Sequence, residues 1–391
     1  MMPQHMPCTL IKHARILHTE GIIQGDVLIG AGKILATGES LQAPWQGQVI
    51  DAQGKWLLPG IIDQHVHLIG GGGEDGFHTR TPEVMLSQLL RAGVTGVMGL
   101  LGTDGTTRHV ASLFAKVMGL RNEGISAWML TGSYEVPTMT LTGSVRDDIT
   151  FLTPVLGVKT AISDHRSSQP TVAELIRMAT QARSAALLTR KPGLVVMHLG
   201  NAAAALAPLE ETLAQCDVPV QHFLPTHINR QRHLLDDGLR LAKTLGVNLD
   251  FTSGIDPALG ARGAVSPAES VLEALDTGIA LSQLTLSSDG NGSIPVFDEQ
   301  GNISGLTVAG FDSLLTTIAQ LTQTIPLAQA WQLVSGNVAQ RLKCSTKGKI
   351  ATGCDADLLL LDEDFQVHSL WARGNMMMHD RELLAKGTFE R

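Results

Sequence analysis

Short apolar segments alternate with helical segments through most of the chain, and this alternation restricts the fold more than any other feature of the sequence. Between residues 60 and 340, eight segments have the length and composition of buried strands. The predicted strands are 60–67, 93–101, 125–131, 155–162, 193–199, 222–226, 247–252 and 284–288. Eight consecutive βα units over about 280 residues are typical of a (β/α)8 TIM-like barrel rather than of an open sheet.

Helices are predicted between these strands because Ala and Leu recur there at helical spacing. Two further helices after the eighth strand would close the barrel. The predicted helices include 82–92, 173–188, 202–214, 234–245, 267–275, 311–322 and 327–342.

The two ends of the chain have a different pattern. Short β-like segments separated by glycine-rich turns occupy 9–51, and a further strand and a hairpin around Gly374 follow near the C-terminus. Strands at both termini predict one small β-sandwich with the α/β barrel inserted into it. We assign residues 1–58 plus 344–391 to the sandwich and 59–343 to the barrel.

Composition restricts the partners. The formal net charge of −8 argues against nucleic acid or an anionic membrane as the main partner and favours small molecules. The four cysteines are scattered without a C-x-x-C pair, which indicates reduced thiols. Neither a signal peptide nor an apolar run of about 18 residues is present, so the sequence predicts a soluble, cytoplasmic protein.

Polar residues that suit metal binding stand at or near the C-terminal ends of five predicted strands. In a (β/α)8 barrel these ends meet at one face, where active sites lie. Imidazole is a common ligand of zinc-like ions. The convergent residues are His65, His67, Lys159, His198, His227 and Asp289.

Each of these residues also has an ordinary structural interpretation. An isolated His-x-His is more often a strand edge than a metal site. His198 alone could be a core histidine, and Asp289 alone could cap a following helix. Lys159 is harder to explain in this way, because an ammonium in an apolar strand must be paired or neutral. A neutral lysine can react with carbon dioxide to form a carbamate, whose two oxygens can bridge two cations. Together, the six residues favour a metal site.

The order of these six residues resembles that of the binuclear amidohydrolase superfamily. Four stretches also resemble the isoaspartyl (β-aspartyl) dipeptidases within it: 59–74 with its Gly-Gly-Gly-Gly-Glu, 99–104, 158–166, and 286–293 with its Asp-Gly-Asn-Gly-Ser. The resemblance runs over nearly the whole chain, including both halves of the predicted sandwich.

The resemblance implies two zinc ions per chain. His65 and His67 would hold one ion, His198 and His227 the other, and N6-carboxylated Lys159 would bridge them. Asp289 would be a further ligand of the first ion.

The chemistry implied by the resemblance is hydrolysis by a metal-bridging hydroxide, since bound metal lowers the pKa of water toward about 7. Asp289 would accept the proton of this nucleophile and pass it to the leaving amine. Tyr134, the only tyrosine of the chain, resembles the residue that supports the oxyanion in the family. Without the resemblance, Tyr134 could also be an ordinary half-buried phenol after strand three.

Three charged residues match the charges of an isoaspartyl dipeptide, which carries one ammonium and usually two carboxylates. Glu74, Arg166 and Arg230 are predicted on the loops after strands one, four and six, and arginine suits bidentate carboxylate recognition. The sequence does not decide which arginine would bind which carboxylate. The resemblance adds three hydrogen-bond partners of the substrate, Gly72, Thr103 and Ser293.

These observations predict a metallodipeptidase that hydrolyses β-aspartyl dipeptides and so clears products of damaged-protein breakdown. A cyclic-amide hydrolase of the dihydroorotase or hydantoinase kind would use the same metals, and a non-catalytic scaffold is a third possibility. The resemblance also implies a homo-oligomer, often an octamer. Segment 253–267 looks longer than the family pattern, which would either lengthen a tolerant loop or alter the substrate range.

Overall fold

The computed structural model describes residues 8–18, 21–44, 47–297 and 303–390. The predicted sandwich segments lie outside this range only at 1–7, 19–20, 45–46 and 391. The strands, in chain order, are β1 Thr9–His18, β2 Gly21–Gly30, β3 Lys33–Gly38, β4 Gln48–Asp51, β5 Trp56–Pro59, β6 Ile61–Val66, β7 Val94–Gly99, β8 Ser126–Gly132, β9 Val155–Ile162, β10 Leu194–Leu199, β11 Phe223–Thr226, β12 Leu249–Thr252, β13 Leu284–Ser287, β14 Ser293–Phe297, β15 Ile303–Val308, β16 Leu358–Leu361, β17 Val367–Ala372, β18 Asn375–His379 and β19 Glu382–Leu383.

Most of the helices lie between the strands of the barrel. They are α1 Leu86–Arg91, α2 Val110–Asn122, α3 Val145–Phe151, α4 Val172–Thr189, α5 Ala207–Gln215, α6 Arg232–Leu245, α7 Pro267–Asp276, α8 Ser313–Leu321, α9 Leu327–Gln332 and α10 Gly336–Arg341. None of the described helices combines the length and apolar character that a membrane crossing requires.

The eight strands β6 to β13 form one parallel sheet in which each strand lies beside the next one along the chain. A bridge between Val66 and Gly290 connects the first strand to the segment after the last one. The sheet is therefore a nearly closed barrel, and the prediction of a (β/α)8 fold is confirmed. All eight predicted strands are present, with ends that differ by up to two residues.

The strands of the two termini meet in a second sheet, which has nine strands among the described residues. Its two halves join where β16 pairs antiparallel with β5, with Leu358 opposite Pro59. The predicted insertion of the barrel into a β-structure built from both termini is thus confirmed. We propose the boundaries 58/59 and 343/344 between the two parts, which lie one residue before the end of β5 at Pro59 and two residues after the end of α10 at Arg341.

The helical region after β13 differs from its prediction. The segment 327–342 was expected to be one helix, but α9 and α10 are separated at Ser335, whose backbone leaves the helical region at φ −141° and ψ −77°. The Ser335 hydroxyl donates to the Gly60 carbonyl at 2.9 Å, so the break is anchored at the start of the barrel. The β14–β15 hairpin, which precedes α8, was not predicted.

Apolar side chains fill the barrel interior at its N-terminal end. A buried cluster there includes Ile62, Leu130 and Leu224 from the strands, together with Val338 and Leu342 from α10 and its end. Apolar packing of this kind fills the interior at that end. The polar residues predicted for the site stand at the opposite, C-terminal end of the strands.

Candidate active site

The barrel brings the six predicted metal-site residues together. His65 lies in β6 and His67 directly follows it, Lys159 lies in β9 and His198 in β10. His227 follows β11, and Asp289 comes two residues after β13. Lys159 is fully buried at 0% exposure, and all four histidines are buried as well.

His65, His67 and Asp289 form a compact group whose ligand atoms all lie within 4.8 Å of one another. Asp289 Oδ1 lies 3.2 Å from His67 Nε2 and 3.6 Å from His65 Nε2. On the other side, Lys159 Nζ lies 2.9 Å from His65 Nε2. Within the described residues, buried Asp289 Oδ1 and His67 Nδ1 have no hydrogen-bond partner. Two imidazoles and a carboxylate oxygen without a donor fit a cation, and this group could hold one metal ion.

His198 and His227 form the other side of the cluster. Their ring centroids are 4.7 Å apart, and the His227 ring lies 4.8 Å from that of His65. The remaining contacts orient each ring: His227 Nδ1 lies 2.8 Å from the Thr252 hydroxyl, and His198 Nδ1 lies 2.6 Å from the Tyr134 hydroxyl. In metal sites, a contact such as that between Thr252 and His227 fixes the ring orientation and tautomer of the ligand.

Burial keeps most of this cluster uncharged. It lowers the pKa values of His65, His198 and His227 well below the ordinary value, so these imidazoles are neutral and can act as ligands. Burial also lowers the pKa of Lys159 to about 7, so a substantial fraction is a free amine at neutral pH. In contrast, burial raises the pKa of Tyr134, which therefore stays protonated as a hydrogen-bond donor.

Asp289 is held beside the first strand by backbone contacts. Its own backbone is left-handed, with φ 56°. The next residues join the end of β6: the His67 N–H donates to the Gly290 carbonyl at 3.0 Å, and Asn291 Nδ2 donates to the His67 carbonyl at 3.0 Å. The alternative that Asp289 caps a helix is wrong, because β14 rather than a helix follows it.

A cavity opens above this cluster, and the three charged residues predicted to bind substrate lie around it. Glu74 Oε1 is 3.1 Å from Arg166 Nη1 and 3.2 Å from the Thr103 hydroxyl. Arg230 Nε donates to Asn201 Oδ1 at 3.0 Å. The cavity is also lined by His67, His198, Asp289, Tyr134, Gly72 and Ser293. All the predicted substrate-contacting residues therefore lie at this one mouth.

The glycine run after His67 is required by its backbone path. Gly70 and Gly72 have φ +89° and +68°, and a Cβ at these positions would lie 2.2 Å and 2.6 Å from the Thr81 and Thr79 carbonyl oxygens. Buried Arg108 donates to the Ile69 carbonyl at 3.0 Å and to the Gly71 carbonyl at 2.9 Å. The run is thus a fixed wall of the cavity that ends at Glu74.

Sequence reasoning missed three residues that organise the site: Arg108, Asp164 and Asn291. Asp164 is buried, and its carboxylate accepts hydrogen bonds from His198 and Arg166. Burial alone would raise the pKa of Asp164, but these hydrogen bonds outweigh it and lower the pKa below its ordinary value. The sequence signal for Asp164 is its position two residues before Arg166. The sequence gives no such signal for Arg108 and Asn291, because their role depends on how the loops fold.

The segment 253–267 is ordered over the end of β12. The Asn229 side chain donates to the Thr252 carbonyl at 3.1 Å and to the Ile255 carbonyl at 2.7 Å, while the Asn229 carbonyl accepts from Val265 N–H at 2.9 Å. Asn229 directly precedes Arg230, so this loop and the arginine share one support.

A model of the amidohydrolase family matches residues 56–377. This match covers the whole barrel and most of the C-terminal strands. The chain belongs to the amidohydrolase family.

The relatives narrow this assignment. The crystal structure of the β-aspartyl dipeptidase from the thermophilic, keratin-degrading Fervidobacterium islandicum AW-1, in complex with a β-Asp-Leu dipeptide, is 39% identical, with a TM-score of 0.89 over 98% of this chain and 100% of that one. Within the amidohydrolases the chain therefore groups with the β-aspartyl dipeptidases, as its motifs predicted.

Cyclic-amide hydrolases are more distant relatives. The dihydropyrimidinase of Brevibacillus agri NCHU1002 covers 97% of each chain at a TM-score of 0.69 but is 18% identical, and it shares the fold. The dihydroorotase of Anoxybacillus flavithermus (strain DSM 21510 / WK1) is 32% identical over 113 residues, which are 28% of this chain and 26% of that protein. The chain thus spans about a quarter of the length of this curated relative.

Proposed function

We propose that this protein is a metal-dependent dipeptidase that hydrolyses the isopeptide bond of β-aspartyl dipeptides. The observation that carries the proposal is the placement of Glu74, Arg166 and Arg230 around the cavity above the buried histidine cluster. One acidic and two basic groups complement one ammonium and two carboxylates of the substrate. The likeness to a dipeptidase crystallised with β-Asp-Leu supports the same substrate class. Its cellular role would be to clear dipeptides left by the breakdown of damaged proteins.

We infer that two zinc ions complete the site. His65, His67 and Asp289 would hold one, and His198 and His227 the other, which accords with neutral imidazoles and a carboxylate oxygen that lacks a donor. Lys159 would bridge them as its N6-carboxylated form, since burial favours the free amine that reacts with carbon dioxide. When bound, such ions supply a water that is activated at neutral pH and polarise the scissile carbonyl.

The residues of the chain move and hold the protons. The Asp289 carboxylate, between His67 and the cavity, accepts the proton of the attacking water and returns it to the leaving amine. The Tyr134 phenol, protonated because burial raises its pKa, donates a hydrogen bond to the carbonyl oxygen as negative charge develops there.

The charged residues at the mouth select the substrate. Glu74 pairs with the α-ammonium group, and Arg166 and Arg230 pair with the two carboxylates. Glu74 Oε1 and Arg166 Nη1 contact each other at 3.1 Å. When the dipeptide binds, its ammonium group takes the place of Arg166 beside Glu74, and one of its carboxylates takes the place of Glu74 beside Arg166. Hydrogen bonds from or to the substrate come from three further residues of the cavity, Gly72, Thr103 and Ser293.

A cyclic-amide hydrolase is the second candidate, since such enzymes share this fold. A ring substrate has no free ammonium group for Glu74, which disfavours this candidate. A non-catalytic scaffold would have no need for six buried or half-buried polar residues in one cluster, because their desolvation costs several kcal/mol.

The proposal is tested by incubating purified, zinc-loaded protein separately with β-Asp-Leu, α-Asp-Leu and dihydroorotate. Amino-acid analysis measures release of aspartate, and absorbance measures ring opening. We expect rapid release from β-Asp-Leu alone. Hydrolysis of α-Asp-Leu without hydrolysis of the isopeptide would refute the substrate assignment, and ring opening of dihydroorotate would favour the second candidate.

A further inference from the structure

Asp164 lies at the centre of a chain of polar contacts that runs from Glu74 to Tyr134. It follows β9 and is 3% exposed. Its Oδ2 accepts from His198 Nε2 at 2.8 Å and from Arg166 Nη2 at 2.6 Å, and its Oδ1 accepts from Arg166 Nε at 2.9 Å. One carboxylate therefore contacts both a member of the histidine cluster and a residue of the substrate mouth.

The contact with His198 fixes which ring nitrogen carries the proton. An ionised carboxylate can only accept hydrogen bonds, so His198 Nε2 must donate to Asp164. The lone pair of His198 is then on Nδ1, the atom that lies 2.6 Å from the Tyr134 hydroxyl, and Nδ1 is the ring nitrogen that remains able to bind a metal ion. Replacement of such an outer carboxylate typically lowers the metal affinity of a site about 10- to 100-fold.

The contact with Arg166 fixes the direction of the guanidinium. Nε and Nη2 form a fork onto the two oxygens of Asp164, which leaves Nη1 to contact Glu74 at 3.1 Å. Because the guanidinium is planar and rigid, the fork determines where Nη1 points. The arginine is thus oriented toward the cavity before any substrate binds.

The Asp164 side chain also contacts the backbone of its own loop, because the Arg166 N–H donates to Asp164 Oδ1 at 2.8 Å. Further contacts hold the loop independently of this side chain. The Ser163 hydroxyl donates to the Ala205 carbonyl at 2.7 Å, and the Asp164 carbonyl accepts from Gln169 Nε2 at 2.6 Å and from Ser167 N–H at 3.0 Å. An asparagine oxygen can still accept from the Arg166 N–H. Replacement of Asp164 by asparagine therefore acts on His198 and on the Arg166 guanidinium, while the loop keeps its path.

We propose that Asp164 is a positioning residue with two tasks, which are to fix the His198 tautomer for metal binding and to aim Arg166 at a substrate carboxylate. The inference rests on the proposed function for its second task. Asp164 thus links the histidine cluster to the substrate mouth. Loss of its carboxylate weakens both metal retention and dipeptide binding, whereas loss of Arg166 weakens only dipeptide binding.

The test compares Asp164→Asn with Arg166→Met and with a control, Asp276→Asn, which changes an exposed aspartate at the end of α7. Zinc retained during dialysis against a chelator is measured by mass spectrometry, and KM and kcat are measured with β-Asp-Leu. In Asp164→Asn we expect about one equivalent of zinc to be lost 10- to 100-fold faster and KM to rise roughly 10-fold or more. Arg166→Met should raise KM with normal zinc retention, and the control should match the wild type.

A folded Asp164→Asn variant with unchanged zinc retention or unchanged KM would overturn the inference. If that variant does not fold, Asp164→Ala is assayed with and without formate, which can occupy the vacated carboxylate position. Restored zinc retention would support the inference, and no restoration would overturn it. Zinc retention needs no turnover, so a wild type that binds zinc but leaves β-Asp-Leu intact would refute the proposed function alone.

Discussion

The two ends of the barrel are equally buried but chemically opposite. Leu130 in the lower cluster and Lys159 in the upper one are both fully buried. At the lower end, burial itself stabilises the fold by about 25 cal/mol per Å² of apolar surface. At the upper end, burial of lysine, histidine and aspartate costs free energy that only partners or cations offset. The comparison teaches that the lower end carries stability and the upper end carries function.

Replacement of Lys159 by methionine should have the largest effect on function. Methionine fills the buried space without a polar group, so the metal-free variant should be at least as stable as the metal-free wild type. Without the bridging group, zinc binding should fail and β-Asp-Leu hydrolysis should fall by several orders of magnitude. Metal analysis, kinetics and thermal unfolding measure these effects, and two retained zinc ions with normal turnover would contradict the assignment of Lys159.

Asp289→Asn should lower kcat about 100- to 10,000-fold, because the amide cannot accept the proton that the carboxylate transfers. In the zinc-loaded variant KM should change far less, since Asp289 is assigned to metal binding and proton transfer rather than to substrate charge. Steady-state kinetics with β-Asp-Leu measure both constants. An effect confined to KM would indicate that Asp289 only binds substrate.

Leu130→Ala should show the opposite behaviour at the lower end. Loss of a fully buried leucine should lower the free energy of unfolding by about 2–5 kcal/mol. The folded fraction should keep the wild-type KM and kcat, because the apolar cluster does not reach the cavity. Urea denaturation and kinetics are the measurements, and a large change in KM would show that the two ends are coupled.

Glu74→Gln should lower kcat/KM for β-Asp-Leu about 10- to 100-fold, since the charged hydrogen bond to the ammonium is worth about 1.5–3 kcal/mol. Glu269→Gln, an exposed change in α7, is the matched control. Steady-state kinetics with β-Asp-Leu measure kcat/KM for both variants and for the wild type. An unchanged rate in Glu74→Gln would favour a substrate without an ammonium group.

The smallest predicted effect concerns His222 at the lower end. Burial lowers its pKa below the ordinary value of 6.5, and its Nδ1 lies 2.8 Å from the Gly193 carbonyl. As the pH falls below 6.5, the unfolded chain binds a proton at His222 that the folded chain does not, so stability falls until the folded pKa is reached. The slope is at most about 1.4 kcal/mol per pH unit.

His222→Gln should remove this contribution. Urea denaturation over roughly pH 4.5 to 7.5, the range around the histidine pKa, should give a shallower pH dependence for the variant than for the wild type. Identical pH profiles would show that His222 is not buried as described.

The fold and the metal cluster could be predicted from the sequence because both follow from regular features. Strand period and βα alternation gave the eight strands, and the convergence of strand ends predicted that His65, Lys159 and Asp289 would meet. The support of the site could not be predicted in this way. Arg108 and Asn291 donate hydrogen bonds to backbone carbonyls of distant segments. The helix break at Ser335 likewise depends on a hydrogen bond to the Gly60 carbonyl. Contacts between residues so far apart in sequence leave no local pattern.

The central claim is that the upper end of the barrel recognises a β-aspartyl dipeptide. Its most direct test is a crystal structure of the zinc-loaded Asp289→Asn variant with β-Asp-Leu. The account predicts the α-ammonium group within hydrogen-bond distance of Glu74, with the two carboxylates on Arg166 and Arg230. An ammonium group that points to solvent, or a dipeptide that contacts neither arginine, would contradict it.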